Sequence, residues 1–262
     1  MKRIILLLIS GLCLICASAS TPNETDKKGR KQGAWSKTYD NGQLMYEGTF
    51  KNDQPVGEFK RYFDSGKLKL VQNYTNGNRS TVKIYDADGK TISMEGAYIE
   101  KSKDGEWKFY NEGKLSLVEN YKKGKKEGMA KAYNKNGKLL SETPFENDKI
   151  NGVKKDYLED GKLFSEVTYK KGLREGVYKL YEGNEKPVVV GLYKNDKREG
   201  NWVVYNDKGE IDNTMIYENG TLKNAKEIKK KEAQTAEMND EQKGKIQEPT
   251  ELFPGSTVKE MK

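Results

Sequence analysis

A period of about twenty-four residues runs through most of this chain and limits what it can fold into. One tyrosine column runs Tyr39, Tyr62, Tyr85, Tyr110, Tyr133, Tyr157, Tyr181, Tyr205, in steps of 23, 23, 25, 23, 24, 24 and 24. A second aromatic column runs Phe50, Tyr74, Tyr98, Tyr121, Phe145, Tyr169, Tyr193, Tyr217. A glycine column runs Gly33, Gly57, Gly105, Gly128, Gly152, Gly176, Gly200, with Ser80 in place of its third member. Further glycines, such as Gly42, Gly66, Gly89 and Gly137, follow most first-column tyrosines. Columns that keep one phase across residues 30 to 220 are the mark of tandem supersecondary units. Each unit holds two short strand-like runs. Asn76-Gly77, Lys123-Gly124, Asn195-Asp196 and Asn219-Gly220 stand between units, and such pairs tolerate the positive φ of tight hairpin turns. Connections this short force antiparallel neighbours. The fold class expected is all-β: an elongated antiparallel β-meander of about eight tandem β-hairpin repeats over 29–223.

The columns also predict register. Pairing Tyr133 with Leu140 sets Lys131 against Glu142 and Gly128 against Phe145; the next unit sets Lys155 against Glu166 and Gly152 against Tyr169. The spacing from opening glycine to closing aromatic is 17 residues in Gly33/Phe50 and in five later units, and 16 in Gly105/Tyr121. A cross-strand aromatic can cover the gap a glycine leaves in a sheet face. On that reading Gly57, Gly105, Gly128, Gly152, Gly176 and Gly200, with Tyr74, Tyr121, Phe145, Tyr169, Tyr193 and Tyr217, are architectural. One face is expected to be buried and to carry Phe59, Trp107, Tyr178 and Trp202 with Leu68, Leu115, Leu139 and Leu163. The other carries the first tyrosine column and a lysine column: Lys37, Lys60, Lys83, Lys108, Lys131, Lys155, Lys179. Lys83, Lys131 and Lys155 are expected to face glutamates. Lys60, Lys108 and Lys179 face Val71, Val118 and Val190, and so are expected to be free. With Tyr62, Tyr110 and Tyr181 they form the candidate anion- or partner-binding stripe.

Gly-Glu-Trp-Lys-Phe-Tyr-Asn-Glu-Gly-Lys at 105–114, Tyr-Lys-Lys-Gly-Lys-Lys-Glu-Gly at 121–128, Gly200-Asn201-Trp202 and Gly33-Ala34-Trp35 resemble the MORN repeat, in the bacterial variant of the YwqK-type toxin–antitoxin antitoxin family. The resemblance spans about 29–223. It implies a scaffolding or binding role, with proposed phospholipid binding in some arrays, and raises the possibility of an antitoxin- or immunity-like role. It implies no kinase activity, since no kinase segment accompanies the repeats.

Chemistry-bearing residues are scarce. The chain has no histidine, and its two cysteines, Cys13 and Cys16, lie in the leader. This removes the commonest general base, thiol nucleophiles and zinc sites of the usual type. Glu127, Glu175 and Glu199 recur before opening glycines, and Glu47, Glu95, Glu142 and Glu166 recur three residues before closing aromatics. Such recurrence is architectural. No phosphate-cradling motif is present. No catalytic residue, metal or cofactor is therefore expected.

Residues 1–19 read as a signal peptide: Lys2-Arg3, an apolar run from Ile4 to Ile15, and Ala17-Ser18-Ala19 before cleavage. The run is too short to cross a bilayer comfortably, so no transmembrane segment is expected in the mature chain. Ile15 before Cys16 argues against lipid attachment there, because lipoprotein signals prefer a small residue at that place. The protein is expected in the periplasm, at the cell surface or secreted. Residues 20–28 read as a flexible lead. Residues 224–262 read as a charged tail, helical or disordered, that either caps the last strand's edge or binds a partner. Net charge is +8, a modest excess among well-mixed charges. The expected partner is a protein or envelope component, with anionic lipid or acidic glycan as alternatives and nucleic acid disfavoured.

Overall fold

The computed structural model describes residues 22–75, 78–183 and 186–230. The signal segment, Asn76-Gly77 and the tail beyond residue 230 lie outside the described residues. The chain divides into two compact units, Met1–Lys149 and Ile150–Lys262.

The first unit is an antiparallel meander. After β1 (Glu24–Thr25) come the hairpins β2 (Lys31–Thr38)/β3 (Leu44–Lys51), β4 (Gln54–Tyr62)/β5 (Leu68–Tyr74), β6 (Arg79–Tyr85)/β7 (Ile92–Ile99) and β8 (Ser102–Asn111)/β9 (Lys114–Lys122). The short β10 (Lys125–Lys126) leads into β11 (Gly128–Tyr133)/β12 (Leu139–Glu146). The two-residue β13 (Lys149–Ile150) stands at the division of the chain. The second unit repeats the scheme with β14 (Gly152–Tyr157)/β15 (Leu163–Lys170), β16 (Leu173–Leu180)/β17 (Val189–Lys194), β18 (Lys197–Tyr205)/β19 (Ile211–Glu218) and β20 (Thr221–Leu222). Residues 225–230 are helical.

Two turn types alternate. Between repeats, Asn52-Asp53, Asn147-Asp148 and Asn195-Asp196 have positive φ at both residues, the type I′ geometry whose twist matches the flanking strands. Within repeats, a three-residue loop closes with a left-handed glycine: in Tyr39 to Gln43, the Gly42 amide donates to the Tyr39 carbonyl at 2.9 Å. The hairpin β8/β9 instead turns on Glu112-Gly113 alone, with Asn111 paired to Lys114. This explains the spacing of 16 between Gly105 and Tyr121: the turn is one residue shorter.

Register agrees with expectation at Lys131–Glu142, Gly128–Phe145, Lys155–Glu166 and Gly152–Tyr169. It differs at the tip. Tyr133 pairs with Leu139, not Leu140, because a bulge falls between Ala132 and Tyr133; the same slip precedes Tyr62, Tyr110 and Tyr157. Leu68, Leu115, Leu139 and Leu163 accordingly pair with the first tyrosine column, not beside the tryptophans, and are only half-buried.

The reason for the opening glycines is corrected too. A side chain placed at Gly57 or Gly105 meets nothing within 4 Å, so no aromatic needs their space. What they supply is positive φ, +67° and +76°, at a bulge. Gly48 lies opposite Phe59 while Thr49 lies opposite Val56, leaving Gly57 and Glu58 as extra residues. Ser80, the exception in the column, shows the rule. It is not among the positive-φ residues, and β5/β6 pair without interruption from Leu70–Ile84 to Tyr74–Ser80.

The glycines that aromatics do cover are Gly48, Gly96 and Gly191. A Cβ there would overlap Phe59 Cδ2, Trp107 Cδ2 and Trp202 Cδ2 respectively. Each covering ring belongs to the next repeat, so this contact joins repeats. Trp107 and Trp202 are fully buried. Their indole N–H groups donate to the carbonyls of Ala97 (3.0 Å) and Leu192 (3.1 Å), one residue beyond the covered glycine. Where Gln72 replaces the glycine, the facing residue is the smaller Val82. The core of the second unit gathers Leu180, Val189, Trp202 and Tyr217, with Tyr178 stacked on Trp202 at 5.1 Å.

Candidate functional site

The lysine face is built by the ladder. Register places Glu47 opposite Lys60, Lys83 opposite Glu95, Glu95 opposite Lys108, and Glu166 between Lys155 and Lys179. Val71, Val118 and Val190 do face Lys60, Lys108 and Lys179 on their other side. The expectation that these three lysines are free is nonetheless wrong: Lys60 and Lys108 meet an acid two residues back on their own strand, and Lys179 meets one on its second neighbouring strand. Lys60 Nζ lies 2.7 Å from Glu58 Oε1, Lys108 Nζ 3.3 Å from Glu106 Oε1, and Lys179 Nζ 3.7 Å from Glu166 Oε2. Lys37 leaves the column: it pairs with Tyr46, and Ser36 takes the place opposite Glu47.

The paired tyrosines are engaged as well. Tyr62 donates to Glu47 Oε1 at 2.7 Å, Tyr110 to Glu95 Oε1 at 2.7 Å and Tyr181 to Glu166 Oε2 at 3.0 Å. Burial, reinforced by the accepting carboxylate, pushes Tyr62 and Tyr110 up to about 12, and Tyr181 upward. The hydrogen bond to Glu58 raises Lys60. All six candidate residues are thus brought into clusters of lysine, tyrosine and glutamate whose charges largely cancel. A shallow depression of about 400 Å³ over Lys83, Glu95 and Lys108 is walled by these same pairs. Among the described residues no group of three or more His, Cys, Asp or Glu side chains can hold a metal.

The opposite face carries cations that the column reading missed. Lys31 lies over Trp35 at 4.5 Å, Lys103 over Trp107 at 4.4 Å, Lys126 over Phe145 at 5.2 Å, Arg174 over Tyr193 at 4.3 Å and Arg198 over Trp202 at 4.9 Å. The signal was available: each stands two residues before an opening glycine. These long side chains cover rings that a single sheet layer leaves open on one side. Burial lowers the Lys103 pKa, and the charge of Lys126 adds to this while Glu119 opposes it. Glu119 is buried and holds Lys126 Nζ at 2.5 Å.

The family profile described as the MORN repeat variant matches residues 31–52, 55–76, 126–147 and 150–171. These four segments are similar to the MORN repeat variant. Each matched MORN segment begins two residues before an opening glycine, which is the ring-covering position in two of them, Lys31 and Lys126.

The acids that precede opening glycines tie one turn to the next. Glu127 Oε2 accepts from the Asn147 amide at 3.0 Å, Glu175 Oε2 from Asn195 at 2.7 Å and Glu199 Oε2 from Asn219 at 2.8 Å. Turn aspartates return the bond: Asp53, Asp148 and Asp196 accept from the amides of Lys31, Lys126 and Arg174 at 2.8, 2.8 and 2.9 Å.

No curated protein matches the chain. Among solved structures, one titled as the crystal structure of TarM aligns over 48% of this chain and 21% of that one, at 7% identity and a TM-score of 0.20. This chain therefore spans about a fifth of that protein's length, and a likeness so slight carries no argument.

Proposed function

We propose that this protein is an exported, non-catalytic binding module that holds a protein or cell-envelope partner on the exposed face opposite its aromatic rows. The observation that carries this reading is a change in that face. In the first unit the residue after the opening glycine is acidic at Glu58 and Glu106, which engage Lys60 and Lys108. From Met129 onward the same position turns apolar, with Met129, Val153 and Val177, before Asn201. Val177 pairs with Leu192, and the two are 40% and 46% exposed. An apolar pair rimmed by satisfied charges suits a protein anchor.

Strand addition is a poorer route. The outer edge of β2 is covered by β1 and by Asn23, whose Oδ1 accepts from Ser36 at 2.9 Å. At β19, Asn224 Oδ1 accepts from Ile216 at 2.9 Å and its Nδ2 donates to the Thr214 carbonyl at 2.8 Å. Anion binding along the lysine column is disfavoured by the paired carboxylates. Toxin neutralisation, implied by the antitoxin resemblance, is one form of the same protein-binding reading. Export rests on residues 1–19.

Recovery of a partner from the native envelope fraction tests the reading when wild type is compared with Val177→Glu/Leu192→Glu and with Lys60→Gln/Lys108→Gln/Lys179→Gln. We expect the apolar variant to lose recovery at least tenfold and the lysine variant to keep it. The reverse pattern moves binding to the lysine column, and equal recovery by all three removes the face from the interaction.

A further inference from the structure

We propose that the turn edge of the first unit around Lys101 and Lys122–Lys125 is a binding site for a linear polyanion, a chain of closely spaced phosphate-like groups. This site is separate from the lysine column and from the partner face. Antiparallel register sets Lys122 directly opposite Lys125, an arrangement of like charges that opposes sheet pairing. The turn between them is Lys123-Gly124, with Lys123 at φ 52°. The residues suited to that place are Asn, Asp or Gly, and the corresponding turn of the next repeat uses Asn147-Asp148. Turn chemistry and pairing both forgo stability here, with the shared result of three lysines within four residues.

The preceding turn adds a fourth. The Gly124 amide donates to the Lys103 carbonyl at 2.9 Å, which stacks this turn on the one that carries Lys101. Lys101, Lys122, Lys123 and Lys125 are all exposed, and among the described residues none of them forms an ion pair, unlike Lys60, Lys83, Lys108, Lys131, Lys155 and Lys179. Of the nearby acids, one is ion-paired with Lys126 and three keep their charge while accepting from amide N–H groups, and no ion pair joins any of them to these four lysines among the described residues. Glu119 holds Lys126, Asp148 accepts from the Lys126 amide, Glu127 accepts from Asn147, and Glu100 accepts from Asn78 Nδ2.

The shape of the site selects the ligand. Turns of successive hairpins lie about two strand spacings, ~10 Å, apart along the edge of a single sheet, so the cations form a line without an enclosing pocket. A line of cations gathers counterion-release affinity from a chain of anions and gains little from a single small anion. The Tyr121 ring is turned to the other face beneath Lys103, at 4.8 Å, so no ring stands among these lysines to stack on bases.

The test is binding of the full mature chain to medium-length inorganic polyphosphate across a salt series, followed by fluorescence anisotropy. The turn variant is Lys122→Gln/Lys123→Asn/Lys125→Gln; Lys123→Asn favours the turn, and an unchanged or raised melting temperature confirms its fold. We expect its affinity to fall at least tenfold, and its log K against log salt slope to flatten by about two, as loss of three cation contacts implies. Lys60→Gln/Lys108→Gln/Lys179→Gln should bind within about twofold of wild type. Equal affinity of the turn variant and wild type, equal loss in both variants, no binding by wild type, or binding to anionic phospholipid vesicles without binding to polyphosphate would each overturn the assignment.

Discussion

At the scale of single residues, the repeat uses glycine for two different reasons. Gly105 and its column supply a left-handed backbone in open space, whereas Gly96 and Gly191 leave room for a tryptophan. The reasons separate under substitution. Gly105→Ala should cost about 1 kcal/mol, the usual penalty for a Cβ in the left-handed region, and Gly105→Asn should recover part of it. Gly96→Ala should cost about 3 kcal/mol, since the buried Trp107 ring has to move, and Gly96→Asn should cost more still. Chemical denaturation of the four variants checks this. Equal costs for the two alanine variants would show that space, not backbone, governs both positions. The recurrence of the glycines was legible in the sequence, but their division into two kinds was not. A glycine required by its φ and one required by its neighbour's ring look alike as letters, and the ring over Gly96 lies eleven residues away.

At the scale of the hairpin, neighbouring repeats are joined by a tyrosine hydroxyl on the preceding hairpin's glutamate, as in Tyr62 to Glu47 and Tyr110 to Glu95. Both tyrosines have pKa values raised from 10.0 to about 12. A raised folded-state pKa means the contribution is fully present below pH 10.0 and is lost as pH climbs toward 12. Stability should therefore fall across that window. The Tyr62→Phe/Tyr110→Phe variant should start lower, by about 1 kcal/mol per lost hydrogen bond, and decline less steeply. Melting temperature against pH for the two proteins, with tyrosinate absorbance to follow ionisation, measures it; parallel declines would show that these hydroxyls do not couple to folding. This ladder was half visible in the sequence. The pairs Lys131–Glu142 and Lys155–Glu166 followed from hairpin register, because a short turn ties the two strands together. The partners of Lys60, Lys108 and Lys179 were missed. Lys179 meets Glu166 across the junction between repeats, where a bulge shifts the count, and Lys60 and Lys108 meet a glutamate two residues back on their own strand.

At the scale of the whole molecule, stability in a repeat array is the sum of each hairpin and its junctions with its neighbours. Loss of a junction ring should consequently act near its own site. Trp202→Ala should destabilise the repeats around it by about 4 kcal/mol, exposing amides of Val189, Leu192 and Met215 to exchange. Amides around Trp107 should keep most of their protection. Hydrogen exchange resolved by residue reads this directly, and uniform loss along the chain would show one cooperative unit instead.

The sequence by itself determined the class of fold, the number of hairpins and their internal register as far as the bulge before Tyr62, Tyr110, Tyr133 and Tyr157. A period near twenty-four residues with turn residues at both ends of each strand leaves the backbone no arrangement except a meander. The tertiary structure alone decided which lysines are neutralised and which glycines are shielded by rings. Apart from Lys60 and Lys108, which meet acids of their own strand, those outcomes depend on the second neighbour of each strand. That neighbour is reached across a bulge, and a bulge moves side chains to new partners without altering the period that the sequence displays.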